Sequence, residues 1–135
     1  MTAPENFNPE SLGPHPGFSH ATSAGDLVFL GGQIGSDGSG RIASPGDLPG
    51  QFRQALANVN VALAAAGSEP AMVVKLTYFV TDRASYRDRL REIGTAYREV
   101  FGSHYPATSL FEVKGLFEPE ALIEIECIAL RRREQ

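Results

Sequence analysis

The chain has no tryptophan, one cysteine, two methionines and three histidines among its 135 residues, and no apolar stretch approaches the ~18 residues that a membrane helix requires. The lone cysteine, Cys127, excludes an internal disulfide and a multi-thiol metal centre. It lies in an apolar strand-like run, where packing accounts for it. Basic residues are also short. Twelve Lys and Arg stand against 16 Asp and Glu, a formal net charge of −4, so there is no global positive field to hold a phosphate backbone. Neither nucleic acid nor a membrane is expected as a partner. The one basic cluster, Arg131-Arg132-Arg133, reads as a solvated chain end. Residues 1–14 are rich in Pro, Asn and Glu and lack the basic start and apolar core of a secretory signal, so a cytoplasmic location is expected.

What is present fits one globular domain: 42% hydrophobic and 21% charged residues supply an ordinary core with little room for a second. The reading divides the chain into a loose leader over residues 1–15 and a domain over residues 16–133. Phe18–Thr22 and Leu27–Ile34 are strand-like, with turn residues Ser23–Asp26 between them, and predict a hairpin. Gly35–Gly40 holds only Gly, Ser and Asp. Without a Gly-Lys-Ser/Thr sequence or a helix start behind it, it reads as a turn and not a phosphate loop.

Asp47, with Pro49 close behind, marks a helix start, and Phe52, Ala55, Leu56, Val59, Leu63 and Ala66 recur at three- and four-residue steps before Gly67. Val73–Val80 is β-branched and aromatic and predicts a strand. Thr81-Asp82 offers the cap of a second helix, with Tyr86, Leu90, Ile93, Tyr97, Val100 and Phe101 on one stripe, closed by Gly102. Thr108–Val113 and Leu122–Leu130 predict two more strands, joined by a loop with Gly115 and Pro119. The order is β-β-α-β-α-β-β, with room for a short extra strand near Arg41-Ile42. Two amphipathic helices with one apolar stripe each should cover one face of one sheet, an α+β arrangement.

The other face needs a partner. On the final strand Leu122, Ile128 and Leu130 alternate against Ile123, Ile125, Cys127 and Ala129, so both faces are apolar. Burial of a second face is worth ~25 cal/mol per Å² of apolar surface, which predicts self-association. Glu124 and Glu126 share that outward face. A carboxylate in an apolar row costs several kcal/mol to desolvate unless it is hydrogen-bonded. Two readings account for it: an intersubunit hydrogen bond or salt bridge, or a group kept for proton transfer.

Other polar residues carry less. His15 and His104 lie near prolines in predicted loops, with nothing at metal-ligand spacing, and no metal is expected. His20 alternates with Phe18 and Thr22 and either faces a cleft or is a satisfied sheet residue. Ser19, Thr108 and Ser109 lack the strained elbow of a nucleophilic serine, and no hydrolase triad can be read.

Four segments in order resemble one family. Pro106-Ala-Thr-Ser109 followed by Leu122-Ile-Glu-Ile-Glu-Cys-Ile-Ala129 resembles the closing signature of the Rid (reactive intermediate deaminase) family. Phe18-Ser-His-Ala21 resembles its aromatic-Ser-Gln-Ala start, Gly31-Gly-Gln-Ile34 its Ser-Gly-Gln-Ile strand end, and Asn58–Gly67 its first helix ending in Ala-Gly. The resemblance runs from about residue 16 to residue 131. It implies a single-domain chorismate-mutase-like fold of the bacillus type, a homotrimer with one mixed sheet per subunit, and small-molecule clefts at the subunit boundaries. For the active branch it implies hydrolysis of reactive imines and enamines to a carbonyl compound and ammonia, with no cofactor. Chaperone-like and ribonuclease roles also attach to the family, and the acidic balance speaks against the nuclease.

Carried over position by position, the resemblance puts Glu124 on the cleft glutamate that positions the attacking water. Phe18 falls on a tyrosine, Gly31 on a serine whose backbone lines the cleft, and Gly94 on a cleft asparagine. The main departure is Thr108, where the deaminase branch has an arginine that grips the substrate carboxylate; Leu110 likewise replaces a cysteine. A bidentate guanidinium–carboxylate contact is worth ~1.5–3 kcal/mol, so its loss weakens an anionic substrate roughly 10- to 100-fold. Lys114, on the same predicted strand face as Thr108, is a flexible ammonium and a poor replacement for a planar fork. Two functions follow as expectations. One is an imine or enamine hydrolase with an atypical substrate; the other is a non-catalytic module that binds a metabolite or partner in the same clefts.

Overall fold

In a computed structural model, which describes residues 3–132, the first long helix forms where its local signals place it. Helix α1 spans Leu48–Ala65; the Asp47 carboxylate accepts from the Gly50 N–H at 3.0 Å, and Gly67 turns the chain out of the helix at φ 81. Its inner face carries Phe52, Leu56, Val59 and Leu63, all fully buried. Met1 and Thr2 of the expected leader and Arg133 of the arginine run lie outside the described residues.

Strands β1 (Glu5–Phe7), β2 (Ala21–Ala24), β3 (Leu27–Ile34), β4 (Val73–Val80), β5 (Ala107–Glu112) and β6 (Ile123–Leu130) form one six-stranded sheet in the order β1-β2-β3-β6-β4-β5. Every pairing is antiparallel except β4–β5, which are parallel because the chain crosses over through helices between them. Near Arg41-Ile42 there is an isolated bridge, Ser36 to Ile42, and no further strand.

Three sequence-based expectations are corrected. The leader is part of the sheet from Glu5: β1 pairs with β2, the Thr22 hydroxyl donates to Asn6 at 2.8 Å, and Asn8 accepts from the His20 N–H at 2.9 Å. Phe7 packs against the core from this edge strand, with the Arg131 guanidinium 5.9 Å from its ring centre. A strand of three residues between prolines has too short an alternation to be read from sequence. The first hairpin strand begins at Ala21 instead of Phe18, and runs through Ala24 to a tight turn at Gly25, φ 58. The second helix is two, α2 (Arg83–Asp88) and α3 (Leu90–Phe101), because Arg89 leaves helical geometry at φ −111 and ψ 18. The break leaves Leu90 56% exposed, although its spacing puts it on the buried stripe.

The helices cover one sheet face, and the strand alternation sends Ile123, Ile125, Cys127 and Ala129 into that core. Gln51, fully buried on α1, fixes the approach to β6: its amide donates to the carbonyls of Ser44 (3.1 Å) and Glu120 (3.2 Å) and accepts from the Leu122 N–H (2.8 Å). That anchor sets the register in which Glu124 emerges on the opposite face.

Candidate active site

Glu124 extends from β6 on the face without helices, opposite Phe79 of β4 and Ile34 of β3. It is half-buried, and burial with the neighbouring charge of Glu126 holds its carboxyl above the usual carboxylate range. The ion pairs among the described residues are Arg53–Glu99, Arg83–Glu112, Arg89–Glu92 and Arg132–Glu69, so no cation compensates Glu124. Room for it comes from Gly32, in the irregular step between Leu30 and Gln33 of β3: a Cβ there would stand 2.4 Å from Cδ and Oε2 of Glu124. A half-dry, unpaired carboxylate with a raised proton affinity is a competent general base.

Thr108 and Gly94 meet on the other side of the sheet. Parallel pairing with Leu76 turns Thr108 toward the helices, where its hydroxyl donates to the Pro106 carbonyl at 2.9 Å. Both residues line a cavity of about 370 Å³ between α3, α2 and β5. Its buried floor is Phe52, Tyr78, Ile93 and Tyr97; Leu90 and Tyr105 are exposed at its mouth. No charged side chain lines it. The Tyr97 hydroxyl donates to the His104 carbonyl at 2.7 Å, and burial pushes that phenol up to about 12.

The remaining expected site residues do not join either group. Leu110 faces the helix side of edge strand β5 beside Tyr78 and is 36% exposed. Phe18 packs edge-on to His20, ring centres 5.2 Å apart. The Gly31 N–H donates to the His20 carbonyl at 2.9 Å, and a Cβ on Gly31 would stand 3.0 Å from the Ser19 carbonyl, so its smallness serves the approach of the N-terminal segment. His20 fits neither expectation made for it. It precedes β2 and is buried; Gln33 Nε2 lies 3.1 Å from its Nδ1, while its Nε2 is buried without a partner. Burial chiefly, and His15 secondarily, lower its pKa. Lys114 follows the end of β5 and is exposed, so the strand alternation that would align it with Thr108 stops at Glu112. Among the described residues no group of three His, Cys, Asp or Glu could hold a metal ion, and no helix is long and apolar enough to cross a membrane.

Within one chain, therefore, Glu124 and the Thr108 cavity lie on opposite faces of the sheet. The open face that carries Glu124 is mixed: Phe29, Phe111 and Leu130 are exposed on it at 41%, 53% and 42%, alongside Lys75, Thr77 and Glu126. Sequence reasoning missed Gly32, since two consecutive glycines look alike until the irregular step orients them. It also missed the cavity, because Tyr86 and Tyr97 read as core stripe and nothing local shows that Gly94 and the break at Arg89 leave them short of a neighbour.

Comparison with known proteins supplies the context. The profile of the family described as endoribonuclease L-PSP matches residues 9–131. A RutC family protein of Pyrococcus horikoshii is 36% identical over 123 residues, covering 91% of both chains. The human protein named 2-iminobutanoate/2-iminopropanoate deaminase is 32% identical over 124 residues, covering 91% of this chain and 84% of its own. The crystal structure of the E. coli YjgF gene product superposes with a TM-score of 0.80 at 30% identity, over 95% of this chain and 99% of that one.

Proposed function

The chain belongs to the endoribonuclease L-PSP family, the Rid family of its sequence resemblance, and from that premise we propose that it hydrolyses reactive imines or enamines in clefts built jointly by subunits of a homotrimer. Relatives that carry the name 2-iminobutanoate/2-iminopropanoate deaminase support the reaction class. The observation that carries it is Glu124: half-buried, without a paired cation among the described residues, and given space by a glycine. Its carboxylate takes a proton from water as the oxygen attacks the C=N carbon, and returns it to nitrogen. The carbinolamine then expels ammonia and leaves the carbonyl: R₂C=NH + H₂O → R₂C=O + NH₃. Positioned proton transfer of this kind contributes ~10²–10⁴-fold.

The opposite facing of Glu124 and Thr108 supports a shared cleft, since only a second subunit can bring a counterpart of one to the other. The exposed apolar residues of the open face support assembly, because their burial would release water from Phe29, Phe111 and Leu130. The formal charge of −4 is unsuited to the nuclease in the family's description. With Thr108 in place of arginine, the substrate is one that depends little on carboxylate recognition. Ammonia release from imines made in situ by an amino-acid oxidase tests the proposal. Glu124→Gln should lose about two orders of magnitude or more, and equal rates in both proteins would remove it.

The charge-free cavity at Thr108 favours a second reading, a non-catalytic module binding a neutral metabolite in the same clefts. A ligand that raises the melting temperature and is recovered chemically unchanged would select that reading.

A further inference from the structure

We infer that the cavity between α3 and β5 is a subsite for an aromatic, uncharged substituent, so that the preferred substrate is an imine bearing a phenyl-sized group; the inference rests on the hydrolytic reading above only for its catalytic half. The cavity is open to solvent on one side and has a volume of about 370 Å³, within the ~300–1,000 Å³ of small-molecule sites. An engineered apolar cavity of ~150 Å³ is enough to hold benzene. A phenyl ring with a short arm therefore fits.

The walls specify what the occupant is. Tyr78 and Tyr86 stand 6.3 Å apart at a 46° tilt, Phe52 meets Tyr78 edge-on at 5.6 Å, and Tyr97 stacks on Tyr105 at 5.2 Å and 10°. Ring faces and edges are thus presented together, as an aromatic guest needs. Burial raises the phenols of Tyr78, Tyr86 and Tyr97, so they stay neutral at physiological pH and offer an anion no counter-charge. Two of the lining hydroxyls are engaged, Thr108 Oγ1 donating to the Pro106 carbonyl at 2.9 Å and Tyr97 OH to the His104 carbonyl at 2.7 Å, while among the described residues the phenol hydroxyls of Tyr78, Tyr86 and Tyr105 stay free to meet one polar atom of a guest. A carboxylate placed there would meet neutral hydroxyls but no counter-charge among the lining side chains, whereas a ring would lose only water contacts.

Gly94 makes the space. It is not demanded by the helix, since a Cβ there would meet only the Arg98 guanidinium, at 3.2 Å, and its φ is not positive. Gly94 lines the cavity and contributes no side chain of its own to it, the flexible end of Arg98 standing beside it. The missing side chain, together with the short one of Thr108, leaves the tyrosine floor open to a ligand arriving from the edge of β5.

Hydrolysis should be measured for imines generated in situ from 2-phenylethylamine by an amine oxidase, and from L-phenylalanine and L-alanine by an amino-acid oxidase. Binding of 2-phenylethanol, a neutral probe that cannot react, should be measured in parallel by titration calorimetry. Wild type is expected to favour the phenyl-bearing imines over the alanine imine by about tenfold or more in kcat/KM, the value of one buried ring face. Gly94→Leu, which fills the gap and improves helix propensity, should abolish that preference and 2-phenylethanol binding; Tyr105→Ala, at an exposed wall position, should reduce both about threefold or more.

Hydrolysis without phenyl preference and without 2-phenylethanol binding overturns the subsite while leaving the hydrolase intact. No hydrolysis of any imine, with 2-phenylethanol bound by wild type and not by Gly94→Leu, overturns the hydrolase and upholds the subsite. A phenyl preference unchanged in both folded variants places the selectivity elsewhere and overturns the subsite.

Discussion

Replacing Gly32 by alanine would set a Cβ 2.4 Å from Cδ and Oε2 of Glu124 and 2.7 Å from its Cγ, about 1 Å inside ordinary contact. The obstructing atoms are the far end of a flexible side chain, so the carboxylate swings away and the backbone stays. Gly32 has no positive φ, and alanine is sterically allowed; fewer unfolded conformations then favour the folded state by ~0.4–1 kcal/mol. A displacement of ~1 Å at a catalytic group costs on the order of 10²-fold, about 2.7 kcal/mol in the barrier. Gly32→Ala should therefore melt at or slightly above the wild-type temperature while kcat/KM for imine hydrolysis falls about a hundredfold. Gly35→Ala is the control. Its Cβ would stand 2.8 Å from the Gln51 Cα and carbonyl oxygen, backbone atoms of α1 that cannot step aside, so overpacking costs ~1–3 kcal/mol, or roughly 3–10 °C in Tm. Paired calorimetry and ammonia-release kinetics decide it. Wild-type activity in a folded Gly32→Ala protein, or a loss of stability matching that of Gly35→Ala, would refute the assignment of Gly32 as the space for a working Glu124.

Four further outcomes are expected. Because Glu124 binds its proton more tightly in the folded state than in the unfolded chain, it lowers stability as pH rises from the ordinary glutamate range through its raised pKa; Glu124→Gln should match wild type in Tm at low pH and exceed it at pH 7, and a constant difference across that window would contradict the shift. Thr108→Arg should gain roughly 10- to 100-fold in kcat/KM on small carboxylate-bearing imines, and no gain in a folded variant would show that the cleft is remodelled beyond this position. Gln51→Leu strands the Ser44 and Glu120 carbonyls and the Leu122 N–H, so denaturant melts should show a loss of about 3 kcal/mol or more, at ~1 kcal/mol or more per stranded group; a loss under about 1 kcal/mol would remove Gln51 as the anchor of β6. Sedimentation at micromolar concentration should find trimers, and isolated chains would leave the open sheet face unburied and the shared cleft without its second wall.

Much of the architecture is legible in local order alone. Asp47, Pro49 and the apolar steps from Phe52 to Ala66 mark out α1, because capping and periodicity act within a few turns of one helix. The run Val73–Val80 reads as β4 to the residue, and the alternation in Ile123–Leu130 separates the Ile125 face from the Glu124 face, because side chains along a strand alternate with a period of two. Tertiary structure decided the rest. Which strands neighbour one another, and so that Thr108 and Glu124 part to opposite faces, depends on the order β3-β6-β4-β5 and on parallel pairing across a crossover. The same long-range register set Gly32, rather than Gly31, against the carboxylate, admitted Glu5–Phe7 to the sheet edge, and left a tyrosine-lined space where α3 restarts after Arg89. Contacts between residues distant along the chain leave no period in the sequence, since each is selected by the summed packing of the whole sheet and not by its own neighbours.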